Sequence, residues 1–324
     1  MDFKTVLTRF QDDLERVEEA MRQSLASDVQ LISTIGHHLF SGGGKRIRPL
    51  LLLASAQLAG YEGPRAVAHG CVVELIHTAT LLHDDVVDEA DQRRGVPTAN
   101  ATWGNHASVL VGDYLFATSF SLMAQDGDVR IMQAMAKAVT QLAEGEVLQL
   151  VNTCNITEDE DEYLDVVKRK TAALILSACR IGAILGEAPP EQEEALALFG
   201  LETGMAFQLV DDALDYMAEE ERLGKTVGKD LMEGHVTLPL IYLFRNATAA
   251  ERETVQEILL GDEVDRRQVE KVIGLMKNYK AIDYTLQTAS RYVAQAKKRL
   301  SVFEDSGARE ALATIADYIV TRDR

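Results

Sequence analysis

Cysteine is scarce in this chain of 324 residues: Cys71, Cys154 and Cys179 are the whole supply, with no C-x-x-C spacing. A disulfide framework is excluded, and the usage fits a reducing, cytoplasmic setting. Basic residues are in deficit, 33 Lys plus Arg against 51 Asp plus Glu, for a formal net charge of −18. A field of that sign excludes non-specific nucleic-acid binding, which needs a basic footprint, and obliges any anionic substrate to meet a local cationic patch. Long hydrophobic runs are missing. The longest, Leu50–Ala59, is too short to span a bilayer, so any membrane contact is expected to be peripheral. The N-terminal stretch is acidic and amphipathic, unlike a secretory signal. G-x-S-x-G, Walker A and G-x-G-x-x-G patterns are absent, which leaves acyl transfer, NTP hydrolysis and dinucleotide chemistry without support.

Alternating apolar–polar runs are equally scarce, and what replaces them is helical. Leu7, Phe10, Leu14 and Val17 form one stripe. Val72, Leu75, Ile76, Ala79, Leu82 and Val86 form a second, and Leu174, Ile175, Ala178, Ile181 and Leu185 a third. The six prolines fall mostly where helices should start or stop, as at Arg48-Pro49, Gly63-Pro64 and Pro189-Pro190. The expectation is an all-α chain of about ten or more helices, read from these breaks. No linker or composition shift divides it, so 1–324 is read as one domain. The acidic stretch Thr157–Glu162 reads as a helix N-cap with acids matched to the helix dipole.

Two clusters carry chemistry: Asp84-Asp85-Val86-Val87-Asp88 and Asp211-Asp212-Ala213-Leu214-Asp215. Both read D-D-x-x-D, and both end an apolar helical stretch. Positions i and i+4 share a helix face, about 6 Å apart along the axis. Asp84 with Asp88, and Asp211 with Asp215, therefore present paired carboxylates, a donor set suited to Mg²⁺ bridged to phosphate. Asp85 and Asp212 point away from that face and act from behind it. One such cluster alone is as readily a solvated helix surface; recurrence beside two apolar runs makes a site the better reading.

Cations accompany them. Gly42-Gly43-Gly44-Lys45-Arg46-Ile47-Arg48-Pro49 pairs a glycine run with charge, Arg93-Arg94-Gly95 follows the first cluster, and Gly224–Asp230, with Lys225, follows the second. Taken singly, the first is a flexible turn and Arg93-Arg94 a helix C-cap. Glu74-x-x-His77 has the spacing of di-iron helices but lacks its second copy, and His83-Asp84 has the look of a phosphohydrolase metal pair but leaves the second cluster unexplained.

Those motifs, with GGGKRIRP at Gly42–Pro49, VLVGDYL at Val109–Leu115, KRKTAAL at Lys168–Leu174, FQLVDDALD at Phe207–Asp215 and EGHVTLPLI at Glu233–Ile241, resemble the trans-isoprenyl diphosphate synthases, the polyprenyl synthetase family, and in particular its long-chain branch. The resemblance implies the isoprenoid synthase-type helical bundle around a central apolar cavity, a homodimer, and about three Mg²⁺ ions with substrate bound. It implies successive head-to-tail condensation of isopentenyl diphosphate onto an allylic diphosphate such as farnesyl diphosphate, with octaprenyl diphosphate as product. A medium-chain product and a non-catalytic subunit of a heteromeric synthase are the alternatives, although such subunits tend to lose aspartates and both clusters are complete here.

By the same resemblance Asp84 and Asp88 hold Mg²⁺ against the allylic diphosphate, and Asp211 with Asp215 hold a further ion. Arg93, Lys170 and Lys225 contact the allylic diphosphate. Lys45, Arg48, His77 and Arg94 hold isopentenyl diphosphate. Thr171 and Gln208, with the Lys170 carbonyl, face the developing cation. Ala79 and Thr80, one turn before Asp84, are small where short-chain relatives carry aromatic plugs, which implies a longer product; Phe116, Phe120 and Met123 are candidates for a deeper stop. His235 stands where many relatives carry lysine. The C-terminal Arg322-Asp-Arg324 either closes over the isopentenyl site or frays in solvent, and fraying is the expectation.

Overall fold

Several helix starts in this chain fall where the sequence supplies a cap or a proline. In the computed structural model, which describes residues 1–41, 44–93, 95–156, 158–217, 227–261 and 264–322, Asp2 caps α1 (Phe3–Arg9) by accepting from the Thr5 N–H at 2.7 Å. There follow α2 (Gln11–Ser24), α3 (Gln30–Ser41), α4 (Ile47–Leu58) and α5 (Pro64–Val87), the last with proline in its first turn, where a missing N–H costs nothing. Strands β1 (Gln92–Arg93) and β2 (Val96–Pro97) pair antiparallel, Gln92 opposite Pro97. Gly95 carries the turn at φ 77°. This hairpin is a departure from the sequence reading: Arg93 is on a strand, not at a helix C-cap.

Thr98 caps α6 (Ala99–Trp103), and α7 (Asn105–Asp126) and α8 (Val129–Asn152) follow. The cap of α9 (Glu160–Val167) is Asp159, with three acids in the first turn as the dipole favours. Thr157 lies outside the described residues. A π-helical turn, Lys168–Ala172, leads into α10 (Ala173–Leu185) and then α11 (Pro190–Asp215). Helices Lys229–Met232, Leu238–Asn246, Ala249–Leu259, Arg266–Tyr279, Ala281–Arg299 and Gly307–Thr321 complete the chain, with a short 3-10 turn at Leu300–Val302. The fold is all-α apart from the two-residue strands.

The chain forms two compact units. The first is Met1–Val139, Leu174–Gly200 and Arg299–Ile315. Its centre is α5, which packs on α2, α4 and most extensively α7. From Val72 to Ile76 five consecutive side chains of α5 are buried, as are Leu50 to Ala56 of α4. Such helices are apolar all round because neighbours cover every face. Each fully buried leucine contributes about 1.5–3 kcal/mol, so α4 and α5 anchor the unit. The third stripe is wholly buried on α10. There Gly182 lets α10 approach α4, since a Cβ would stand 2.6 Å from that of Ser55. Helix α7 is long and apolar enough by length and composition to cross a membrane, though Asp113 interrupts it. Its face of Ser108, Val111, Leu115, Ser119 and Met123 is buried.

The second unit is Thr140–Ala173, Leu201–Lys298 and Ala316–Arg324. Its core gathers Ala213 and Tyr216 at the end of α11 with Leu231, Leu240, Leu243, Val255, Val272 and Met276. The second aspartate cluster thus stands on an apolar foundation.

Candidate active site

Asp84, Asp85 and Asp88 occupy the last turn and C-cap of α5. Asp84 and Asp88 are half-buried, whereas Asp85 is 3% exposed. The buried charge of Asp85 is met by Arg93, whose Nε and Nη2 lie 2.9 and 2.8 Å from Oδ1. Asn100 donates to the Asp85 carbonyl at 3.0 Å, tying α6 to the same turn. The outer acids thus keep partial exposure, and the middle acid is buried and held by Arg93.

Upstream on α5, His77 and Thr80 are half-buried and Ala79 is fully buried. The Thr80 hydroxyl donates to the His77 carbonyl. On α7, Phe116 and Phe120 are half-buried and Met123 is buried. The Phe116 ring lies against His83, centroids 5.8 Å apart. His83 itself turns to α7, with Nε2 3.2 Å from the Val109 carbonyl and 3.5 Å from Asp113, so the phosphohydrolase pairing with Asp84 finds no support.

The basic loop leads into α4 with Lys45 exposed and Arg48 half-buried. Between them Arg46 takes a left-handed backbone, φ 47° and ψ 45°, an uncommon choice for a residue with a Cβ. Its guanidinium reaches Glu18 of α2 at 3.2 Å and Glu74 of α5 at 2.9 Å. Glu74 is therefore neutralised by arginine, which disposes of the di-iron reading. The pair locks the loop bearing Lys45, and the first turn of α4 bearing Arg48, to the helix bearing His77 and Asp84. Arg94, Lys225 and Gly42-Gly43 lie outside the described residues.

In the second unit Asp212 is 4% exposed and Asp211 and Asp215 are half-buried. Asp212 Oδ2 accepts from the Tyr163 hydroxyl and Oδ1 from the Gln208 amide at 2.8 Å. The Thr171 hydroxyl donates to Gln208 Oε1 at 2.7 Å. Asp215 accepts the backbone N–H groups of Lys229 and Asp230 at 3.2 and 3.0 Å, so it also fixes the helix that follows. Burial pushes the Asp212 carboxyl up to about 7, against the lowering hydrogen bonds from Tyr163 and Gln208. Burial likewise raises Asp215 and, more strongly, Asp230. Three desolvated acids this close are a standing deficit of positive charge, which a divalent cation would relieve.

Part of that deficit is met by Arg322. Its Nη2 donates to Asp211 Oδ1 at 2.6 Å and to the Phe207 carbonyl at 3.0 Å, and its guanidinium lies 3.9 Å from the Phe207 ring centroid. The expectation that this end frays is corrected as far as Arg322; Arg324 lies outside the described residues.

Lys170 and Thr171 sit in the π-helical turn, where the Ala173 N–H reaches back five residues to the Lys168 carbonyl. Such turns shift the hydrogen-bond ladder and expose carbonyls. Two glycines make room for it: a Cβ on Gly145 of α8 would lie 2.6 Å from the Lys170 nitrogen, and one on Gly204 of α11 2.6 Å from the Ala172 Cα. The Lys170 ammonium is held by Glu146 at 2.8 Å. His235 has Gln149 at 2.9 Å from Nε2 and Glu233 at 3.7 Å from Nδ1.

No group of three or more metal-ligating side chains gathers among the described residues. Paired aspartates are instead an all-oxygen, incomplete set. Such a set fits a small hard cation that keeps waters and takes the rest of its shell from substrate phosphates.

The sequence profile described as Polyprenyl synthetase matches residues 29–276. The chain belongs to the polyprenyl synthetase family. Its members are prenyltransferases, and so is this chain. It is 43% identical to the octaprenyl diphosphate synthase of Escherichia coli over 312 residues, 96% of each chain. Among solved structures, a decaprenyl diphosphate synthase from Rhodobacter capsulatus superposes with a TM-score of 0.94 at 42% identity, covering 99% of each chain. A polyprenyl synthase from Caulobacter crescentus, solved with calcium and isoprenyl diphosphate, gives 0.95 at 38% identity, covering 100% of this chain and 98% of that one.

Two residues that brace the aspartate turns escape a reading of the sequence, Arg46 in the first unit and Tyr163 in the second, and the partner of Arg322 escapes it too. Tyr163 alone had a local signal, standing seven residues before Lys170 and hence on its helix face.

Proposed function

We propose that this prenyltransferase is a long-chain polyprenyl diphosphate synthase that extends an allylic diphosphate, farnesyl diphosphate by preference, with isopentenyl diphosphate to an octaprenyl product. The observation that carries the reading is the repeated arrangement of the two D-D-x-x-D turns. In each, the outer carboxylates remain accessible and the middle one is buried and locked by side chains. The 43% identity to an octaprenyl diphosphate synthase supports the chain length, and calcium with isoprenyl diphosphate in a structural relative supports metal-assisted diphosphate binding. We extend the assignment to one catalytic domain over 1–324. Three unpaired cysteines, two of them buried, agree with a cytoplasmic setting.

Bound Mg²⁺, about three ions with substrate present, would neutralise the diphosphate and so make it a leaving group. The chain's own residues do the rest. Asp84 and Asp88 would hold the cation that neutralises the allylic diphosphate, and Asp211 and Asp215 would hold a further one. Arg93 and Lys170 exchange their present acidic partners for phosphate oxygens, and Lys225 adds a third charge. Lys45, Arg48, His77 and Arg94 hold isopentenyl diphosphate. As the allylic C–O bond breaks, the Thr171 and Gln208 oxygens and the Lys170 carbonyl face the positive carbon. The isopentenyl double bond forms the new C–C bond, and the released diphosphate takes the proton lost from the resulting cation. Buried apolar side chains of α5 keep water from the cation. Ala79 and Thr80 leave room for a growing chain, with Phe116, Phe120 or Met123 as its stop.

The test is incubation with isopentenyl and farnesyl diphosphates and Mg²⁺, followed by chromatographic sizing. An octaprenyl product that disappears with a chelator is expected. A geranylgeranyl to heptaprenyl product overturns the chain length, and a primer left unextended overturns the synthase reading.

A further inference from the structure

Tyr163 is 7% exposed on α9 and touches none of the groups assigned to substrate. Yet it begins an unbroken hydrogen-bonded series: Tyr163 hydroxyl to Asp212 Oδ2, Gln208 amide to Asp212 Oδ1, Thr171 hydroxyl to Gln208 Oε1. Donor and acceptor chemistry gives the series a direction. An amide NH₂ can only donate, so Gln208 gives its N–H to Asp212 Oδ1 whatever the charge on that acid, and the Tyr163 hydroxyl donates to Oδ2. With its NH₂ spent on Asp212, Gln208 can only turn its carbonyl oxygen to Thr171. A carbonyl cannot donate, so Thr171 must direct its proton inward to Gln208. The remaining face of the Thr171 oxygen then carries lone pairs and no hydrogen.

We propose that Tyr163 is a positioning residue which, by anchoring Asp212 and through it the Gln208 amide, fixes the Thr171 hydroxyl with its lone pairs outward. The inference rests on the reading of Thr171 as a residue facing the carbocation. An oxygen lone pair stabilises a developing positive carbon, whereas a hydroxyl proton turned the same way opposes it. Preorganisation matters because a dipole that must turn during the reaction spends part of its effect on turning. The fold invests in this geometry. The π-helical turn places Thr171, and Gly204 allows α11, which bears Gln208 and Asp212, to close on Ala172.

The experiment is a double-mutant cycle between Tyr163→Phe and Thr171→Val on the full chain, with Thr171→Ser as the conservative control. Turnover, both KM values and calorimetric binding of inorganic diphosphate with Mg²⁺ are measured. Tyr163→Phe should lower kcat about tenfold, the effect of one hydrogen bond felt in the transition state. KM and diphosphate affinity should stay within about twofold, because no group that holds the headgroup has moved. The loss should persist in Thr171→Ser, which keeps the hydroxyl, and vanish in Thr171→Val, which has none to orient. An unchanged kcat in Tyr163→Phe, or losses that simply multiply with Thr171→Val, overturns the proposal. Should Tyr163→Phe unfold, fluorinated tyrosine at position 163 keeps the shape and alters the hydroxyl. Turnover should then respond to fluorination in the Thr171 protein and not in Thr171→Val, and indifference in both overturns the proposal. Failure of the unmodified protein to condense its substrates would instead strike the synthase reading, so the two outcomes are separable.

Discussion

The two D-D-x-x-D turns are the same five-letter pattern set in different surroundings. At Asp84–Asp88 the middle acid is met by a formal cation, Arg93, on a hairpin whose guanidinium is 42% exposed. At Asp211–Asp215 the middle acid is met by neutral donors, Tyr163 and Gln208, and burial pushes it up to about 7. The first turn is balanced by a charge that can swing away. The second is held in a rigid polar network and stays short of positive charge, a deficit partly met at Asp211 by Arg322. The same motif can therefore be braced in two ways, by an ion pair at one turn and by neutral donors at the other.

The sharpest way to break this comparison is to remove one outer acid from each turn. Asp84→Ala and Asp211→Ala should each cut turnover by about two to three orders of magnitude, with helical circular dichroism unchanged. Near-normal condensation by either variant would withdraw that turn from metal binding. A milder change separates the turns. Arg322→Gln should let Mn²⁺, counted by paramagnetic resonance without substrate, bind about three- to tenfold more tightly, because Asp211 no longer has to release a charge-assisted partner first. Equal affinity would show that the contact carries no weight. The smallest effect belongs to an aspartate outside both turns. Asp126 takes two hydrogen bonds from Arg65, at 2.6 and 2.7 Å, and these hold its carboxyl down at about 2. Because its folded value lies below the unfolded one, its contribution is present above about pH 4 and is lost as pH falls toward 2. With Arg65 39% exposed, Asp126→Asn should cost about 1 kcal/mol at pH 7 in denaturant titrations, and the cost should shrink as pH falls through about 2 and vanish below it. A pH-independent difference would refute the ion pair as its cause.

Much of the site was legible because it is local. Carboxylates four apart, an apolar run before them and proline at a helix start are all written within one or two turns. The same helical geometry turns Asp85 and Asp212 away from the outer acids; that both are buried is seen only in the structure. What was not legible depends on partners distant in the chain. Nothing near Arg46 announces Glu18 and Glu74, and nothing near Arg322 announces Asp211, 111 residues away. Arg93 and Lys170 look like free cations in sequence, yet fold onto Asp85 and Glu146. A long basic side chain reaches several ångströms, and its destination is decided by packing that no short window contains. The hairpin at Gln92–Pro97 was missed for a related reason: two-residue strands have no periodicity to read.

Gly145 and Gly204 have a consequence for anyone reshaping this protein. Both leave only the width of a hydrogen atom beside the π-helical turn, Gly145 against the Lys170 backbone and Gly204 against Ala172, and neither brings a side chain of its own to the chemistry. In a saturation library they should nevertheless score among the least tolerant positions of their helices, and a chain redesigned for a different product would have to inherit both unaltered.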